Sequence, residues 1–190
     1  MIRITIYLLS IVTANVTAAK FAPLDLGIFI IPWGTFFIGL TLVMRDMVQN
    51  SYGKKKTYLF IAIALALSAL SSHLLGDELW IVFASVVSFL ISETTDTEIY
   101  TRFKIPFIRR VMYSGVVAGF FDSAVFVLIG ISPLGLNFVP WNLVGYAILG
   151  QWVTKVLMQL VVAGGIKQLF TKLEIYEPNI SDINREEKTA

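Results

Sequence analysis

Six apolar blocks, each about long enough to cross a bilayer, alternate along this chain with short breaker segments. They run over residues 4–19, 26–48, 58–75, 79–99, 111–131 and 141–170. A spanning helix needs roughly 20 mostly apolar residues to cross about 30 Å of hydrocarbon. The pattern therefore predicts an all-α polytopic membrane protein, a bundle of six transmembrane helices. Pro23, Tyr52 with Gly53, Gly76, Pro106 and the stretch from Pro133 to Pro140 separate the blocks. Composition agrees: the chain is 56% hydrophobic and 15% charged, against about 25% charged in soluble domains. The first block, with Arg3 ahead of an apolar run, has the outline of a signal peptide. Apolar sequence continues beyond ANVTAAKFAP, however, and the block is read as an uncleaved first span. One transmembrane domain is expected over residues 1–172, followed by a polar cytoplasmic tail over 173–190.

Orientation follows from the basic residues, which concentrate in cytoplasmic loops. Of the fifteen Lys and Arg, all but Lys20 and Lys155 fall at the N-terminus, in the second and fourth connections, or in the C-terminal part. Arg45 is counted here with Lys54, Lys55 and Lys56. The alternation predicts that both termini face the cytoplasm.

Ionisable groups at bilayer depth are costly unless paired or facing a cavity, so they mark candidate sites. Asp122 lies in the middle of GVVAGFFDSAVFVLIG, and Lys155, mid-block in GQWVTKVLMQL, is its natural counter-charge. Gln151 and Gln159 stand four residues either side of Lys155. Glu93 and Asp96, three apart, share a helix face and are expected to point into a polar cavity. Glu98 is assigned to the same cavity or to the rim with Arg102 and Arg109. Asp46 beside Arg45 is expected to end the second span as a rim ion pair. Asn15 sits at the outer end of the first span, and Lys20 is expected to snorkel to the interface. His73 is placed at the outer surface. Pro32, Gly34 and Gly39 predict a kink in the second span. The four-residue spacings Ala14–Ala18 and Gly115–Gly119 permit close helix packing. The plainer reading of Asp122 and Lys155 is a buried pair that only holds helices together.

Several classes are excluded. The chain has no cysteine and one histidine, which argues against thiolate and His-based metal or catalytic centres. A net charge of +2 without a basic stripe gives no support for nucleic-acid binding. GxxxxGK[ST], HExxH and GxSxG are all absent. No enzyme, cofactor or metal is expected; a lipid bilayer and a small-molecule substrate are.

The order of these polar positions resembles the putative vitamin uptake transporter family, which is associated with uptake of queuosine precursors. The family's Asn near the end of the first span, followed by Lys, is matched by Asn15 and Lys20. Its D-x-x-x-E-x-Y-G pattern is matched in DMVQNSYG by Asp46, Tyr52 and Gly53, with Asn50 replacing the acid. ASVVSFLISETTDTEIY supplies Ser85, Ser92, Glu93, Asp96 and Tyr100. IRRVMYSGVVAGFFDSAVF supplies Arg109 or Arg110, Ser114, Asp122, Ser123 and Phe126. The G-Q-W-x-x-K of the sixth span is Gly150, Gln151, Trp152 and Lys155, and the family's D-T-P-like ending after it is absent.

The resemblance implies import of 7-cyano-7-deazaguanine or a related deazapurine across the inner membrane. It places Asn15, Glu93, Asp96, Asp122, Gln151 and Lys155 at the substrate, and Asp46, Tyr52, Arg109 and Arg110 at the cytoplasmic mouth. The chemistry is compatible, because a carboxylate offers two acceptors to the adjacent N–H donors of a guanine-like edge. The alternative is a membrane substrate-binding subunit of an energy-coupling vitamin importer, docking on a coupling subunit through Ala14 and Ala18. A non-transporting interaction protein is the third reading. Homo-oligomerisation is left open.

Overall fold

The structure, a computed structural model, describes residues 2–25 and 30–172. Helix α1 (Ile2–Lys20) leads into a two-stranded antiparallel hairpin, β1 (Leu24–Asp25) and β2 (Ile30–Ile31), with Leu24 opposite Ile31. Then follow α2 (Thr35–Leu74), α3 (Leu79–Arg102), α4 (Phe107–Phe126) with a π-helical turn (Val127–Ile131), and α5 (Trp141–Lys172). Four of these, α2, α3, α4 with its π turn, and α5, are long and apolar enough to cross a membrane; α1 holds a shorter apolar stretch. The described backbone thus has five helices where the sequence predicts six.

The difference lies in α2, which is continuous apart from Gly53 at φ 75°, ψ 168°. A residue without Cβ takes that conformation readily and others rarely do. Contacts at both ends show that the chain reverses there. A Cβ on Gly34, just before α2, would lie 3.0 Å from the Ala18 Cβ of α1. Ser68, far along the same helix, accepts a hydrogen bond from Asn15 of α1 at 3.1 Å. In a straight helix, residues 34 and 68 would stand about 50 Å apart; here both meet one end of α1. At the other end Arg3 donates to Ser51, and Tyr52 packs edge-on against Phe60 at 5.7 Å. Helix α2 is therefore two antiparallel limbs, 35–52 and 54–74, and α1 packs on both. Tyr7 and Ile11 share a buried cluster with Met44, Val48 and Ala64.

The second apolar block was expected to be helical from residue 26. Instead Ile30 and Ile31 are extended and the helix begins at Thr35; residues 26–29 lie outside the described residues. Two β-branched side chains favour strand, and Pro32 has no N–H with which to continue a ladder or a helix. The Pro32 carbonyl instead accepts from the Thr35 N–H at 3.0 Å, opening the first turn. Pro32 and Gly34 precede the helix rather than kink it. Gly39 lies inside it, and its bare Cα marks where α2 meets α5: a Cβ there would lie 2.6 Å from Met158 Cβ. The tail expected over 173–190 is outside the described residues.

Burial departs from that of a water-soluble domain, with charged groups buried beside the apolar clusters and large apolar side chains exposed. Leu59, Leu70, Phe83, Leu157 and Val161 face outward, while Arg45, Asp46, Asp96, Lys155 and Gln159 are buried. A large apolar exterior around a polar interior is what a lipid surround selects. Helix α5 is tied to α4 by Trp152 Nε1, donating to the Val116 carbonyl at 2.9 Å. Gln159 Nε2 donates to the Val111 carbonyl at 2.6 Å.

Candidate functional site: a polar cavity inside the bundle

Among the described residues the helices leave a cavity between them, lined from α1, both limbs of α2, α3, α4 and α5 by polar and apolar side chains. Counted as space open to the centres of water-sized molecules it is ≈ 130 Å³, roughly ten times what one water needs on that measure. A multi-atom ligand therefore fits. Asn15, Glu93, Asp122, Gln151 and Lys155, all named from the sequence, line it together. Phe89, Phe126, Ile38 and Leu42 supply apolar faces.

The polar walls are not equivalent. Lys155 Nζ donates to Asp122 Oδ2 at 2.7 Å and to Ser123 Oγ at 2.8 Å. The lysine is 2% exposed and the aspartate 13%, so the ammonium is sealed while an edge of the carboxylate still meets the cavity. Gln151, one helical turn earlier on α5, is 2% exposed and its Nε2 meets no acceptor. Buried amides normally find partners; this donor has none within the protein. Asn15 differs, because its Nδ2 already reaches the Ser68 carbonyl, Ser68 Oγ and Ser71 Oγ at 3.1, 3.1 and 2.7 Å. It pins α1 to α2 beside the cavity.

Glu93 forms the floor. Its Oε2 accepts from the Tyr7 hydroxyl at 3.4 Å and lies 3.8 Å from Arg45 Nε. Behind it, Arg45 is wholly buried, with Nη2 at 2.9 Å from Asp46 Oδ1 and paired with Asp96. Arg45 Nη1 donates to Thr97 Oγ1 at 2.8 Å.

Two expectations are corrected by this arrangement. Asp96 is not a cavity-wall residue: it lies one turn beyond Glu93 and is held by Arg45. Asp46 is not at a rim, because both it and Arg45 are 0% exposed. The later start of α2 moves the pair from the end of a helix to its middle. The other residues assigned to a cytoplasmic mouth do not form one group. Arg110 is buried, lies 4.3 Å over the Tyr100 ring and donates to Asn50 Oδ1 at 3.4 Å. Arg109 is exposed, and Tyr52 packs on Phe60. Glu98 is at the surface, accepting from Lys54 and from Tyr58, each at 2.7 Å. Of the three acids at the end of α3, Glu93 thus meets the cavity, Asp96 the buried arginine, and Glu98 the rim.

Sequence reasoning missed Arg45 as the centre of a buried network, and of the three cavity serines on α3 it missed Ser88. Both left signals. TLVMRDMVQ is apolar on either side of the charged pair, and Ser85, Ser88 and Ser92 recur at i, i+3 and i+7, the spacing of one helix face. All three serines line the cavity.

The family model described as Putative vitamin uptake transporter matches residues 71–166, just over half of the 190 residues. The chain belongs to that family. The matched stretch carries Glu93, Asp96, Asp122, Gln151 and Lys155, whereas Asn15, Arg45 and Asp46 lie outside it. No curated protein and no solved structure matches the chain. Membership of a vitamin uptake family accords with the apolar exterior and places the chain among membrane transport proteins. Among the described residues no group of acids and histidine is arranged to hold a metal ion.

Proposed function

We propose that this chain imports a deazapurine, 7-cyano-7-deazaguanine or a close relative, across the inner membrane. In this reading the chain crosses the bilayer six times, with both termini in the cytoplasm. The reversal at Gly53 supports the topology, since each limb of α2 is then long enough for one crossing. The positions of the Lys and Arg residues support the orientation.

One observation carries the functional reading: Glu93, Asp122, Gln151 and Lys155, from three helices, converge on one cavity that also has apolar and aromatic walls. A flat heteroaromatic with both donors and acceptors on its edge suits this lining. Glu93 and the open edge of Asp122 accept its N–H groups, the Gln151 amide addresses a carbonyl or ring nitrogen, and Phe89 or Phe126 covers a face. Asn15 serves by positioning α1. Ala14 and Ala18 pack on Gly34 inside the chain, so nothing in this arrangement favours the coupling-subunit alternative.

The test uses a strain that depends on salvaged queuosine precursors. Expression of this chain is expected to restore queuosine-modified tRNA. Failure in a strain where the protein reaches the membrane in normal amount would overturn the substrate.

A further inference from the structure

Resting on that transport reading, we infer that import is coupled to proton entry, with the buried Arg45–Asp46–Glu93–Asp96 cluster as the proton-carrying site. Three carboxyl groups here share one guanidinium, and each is between 0% and 3% exposed.

The other charged or titratable groups facing the cluster do not balance it. Helix α1 contributes Tyr7, whose hydroxyl donates to Glu93. Helix α3 adds Tyr100, lying under the Arg110 guanidinium of α4. Asp122 and Lys155, from α4 and α5, pair with one another. Even with Arg110 counted, two cations face three acids. A net negative charge at this depth is strongly disfavoured, and proton uptake relieves it without any other ion.

Two further observations point the same way. Beyond the guanidinium contacts, no hydrogen-bond donor reaches either side-chain oxygen of Asp46 or of Asp96. Buried carboxyl oxygens ordinarily collect donors, and a proton shared within the cluster supplies the missing one. Glu93 also belongs to both sites at once: its side chain forms the cavity floor while Oε2 faces Arg45. A ligand bound above Glu93 therefore changes the field in which the cluster holds its proton, which is the linkage that cotransport requires. The route is ordered along the bundle. The cavity reaches Ala18 and Gly34 at one end and Glu93 at the other, with the cluster behind Glu93 and the rim pair Lys54–Glu98 beyond it. In the proposed orientation a proton enters from outside with the substrate, is held by the cluster, and leaves to the cytoplasm.

Two measurements decide the matter. In bilayer-reconstituted full-length protein without substrate, infrared difference spectroscopy is expected to show a protonated buried carboxyl near neutral pH. The band should titrate with pH and be lost or altered in Asp96→Asn. Its absence from the wild type overturns the inference, whatever the substrate. In vesicles loaded with the same protein, an inward proton gradient is expected to raise accumulation of labelled 7-cyano-7-deazaguanine at least tenfold. Asp96→Asn should abolish this while leaving exchange of labelled for unlabelled compound in place. Exchange with no response to the gradient in the wild type overturns proton coupling. Absence of both uptake and exchange overturns the substrate reading instead, and the infrared result then decides the proton site by itself.

Discussion

Lys155 and Gln151 stand one turn apart on α5 at the same cavity, yet the lysine is held by Asp122 at 2.7 Å and Ser123 at 2.8 Å whereas the glutamine amide nitrogen meets no acceptor. Their roles separate accordingly, and so do the expected effects of replacing them.

Gln151→Leu removes no hydrogen bond made by Nε2 within the protein, so thermal stability in detergent should stay near that of the wild type. Uptake of labelled 7-cyano-7-deazaguanine should fall about tenfold, the scale of losing one buried hydrogen bond of about 1–3 kcal/mol to a ligand. A large loss of stability with unchanged uptake would assign Gln151 to the scaffold.

Removing one partner of a buried ion pair typically costs about 3–5 kcal/mol, whereas replacing both with apolar groups is near neutral. Lys155→Met should accordingly lower membrane abundance and melting temperature, and Lys155→Met with Asp122→Leu should recover most of the loss. Neither variant should transport. Asp122→Asn keeps the shape of the site and an acceptor for Lys155 but not its counter-charge, so abundance should fall no further than in Lys155→Met, while uptake per molecule of protein in the membrane should be lost. Normal uptake by Asp122→Asn would reduce the pair to a helix clamp.

Arg45→Met leaves Asp46, Glu93 and Asp96 facing one another without their common cation. We expect the folded yield to collapse, and adding Asp46→Asn with Asp96→Asn to restore part of it, as read by size-exclusion chromatography of the solubilised protein. Equal yields for Arg45→Met and the wild type would show that the network contributes nothing to folding.

Two glycine-to-alanine changes should differ in sign. At Gly39 the new methyl meets Met158 Cβ at 2.6 Å and the Gln159 nitrogen at 2.7 Å, and overpacking costs about 1–3 kcal/mol. At Gly145 nothing lies within 4 Å, so helix propensity alone should stabilise by about 0.5–1 kcal/mol. Thermal unfolding of both variants checks this.

The helical architecture and much of the candidate site were legible because lipid exposure writes itself into sequence as length and hydropathy. Asp122 and Lys155 stood out by lying in the middle of apolar blocks, and the structure pairs them. The Arg45–Asp46 pair was misplaced for a specific reason. Hydropathy counts Leu26 to Ile31 as span, which puts Arg45 at the far end of a full crossing. The hairpin β1–β2 and Pro32 delay the helix to Thr35 and so carry the same residues inward. Hydropathy does not distinguish strand from helix in a short apolar run. Asp96 was misassigned by a subtler effect. It does share a face with Glu93, but one turn along that face the cavity has given way to the arginine. Depth within a bundle depends on which neighbour fills each level, and a single sequence does not record that.

Gly53 carries a consequence for everything downstream of it. It is the only non-helical residue within a helix of 40 residues, and no separate loop intervenes between the two limbs. In the proposed six-crossing arrangement, a chain running straight through this position would send every later segment to the opposite side of the bilayer and deliver α3 to α5 upside down relative to α1. The parity of the whole protein thus hangs on one backbone dihedral held by the smallest amino acid.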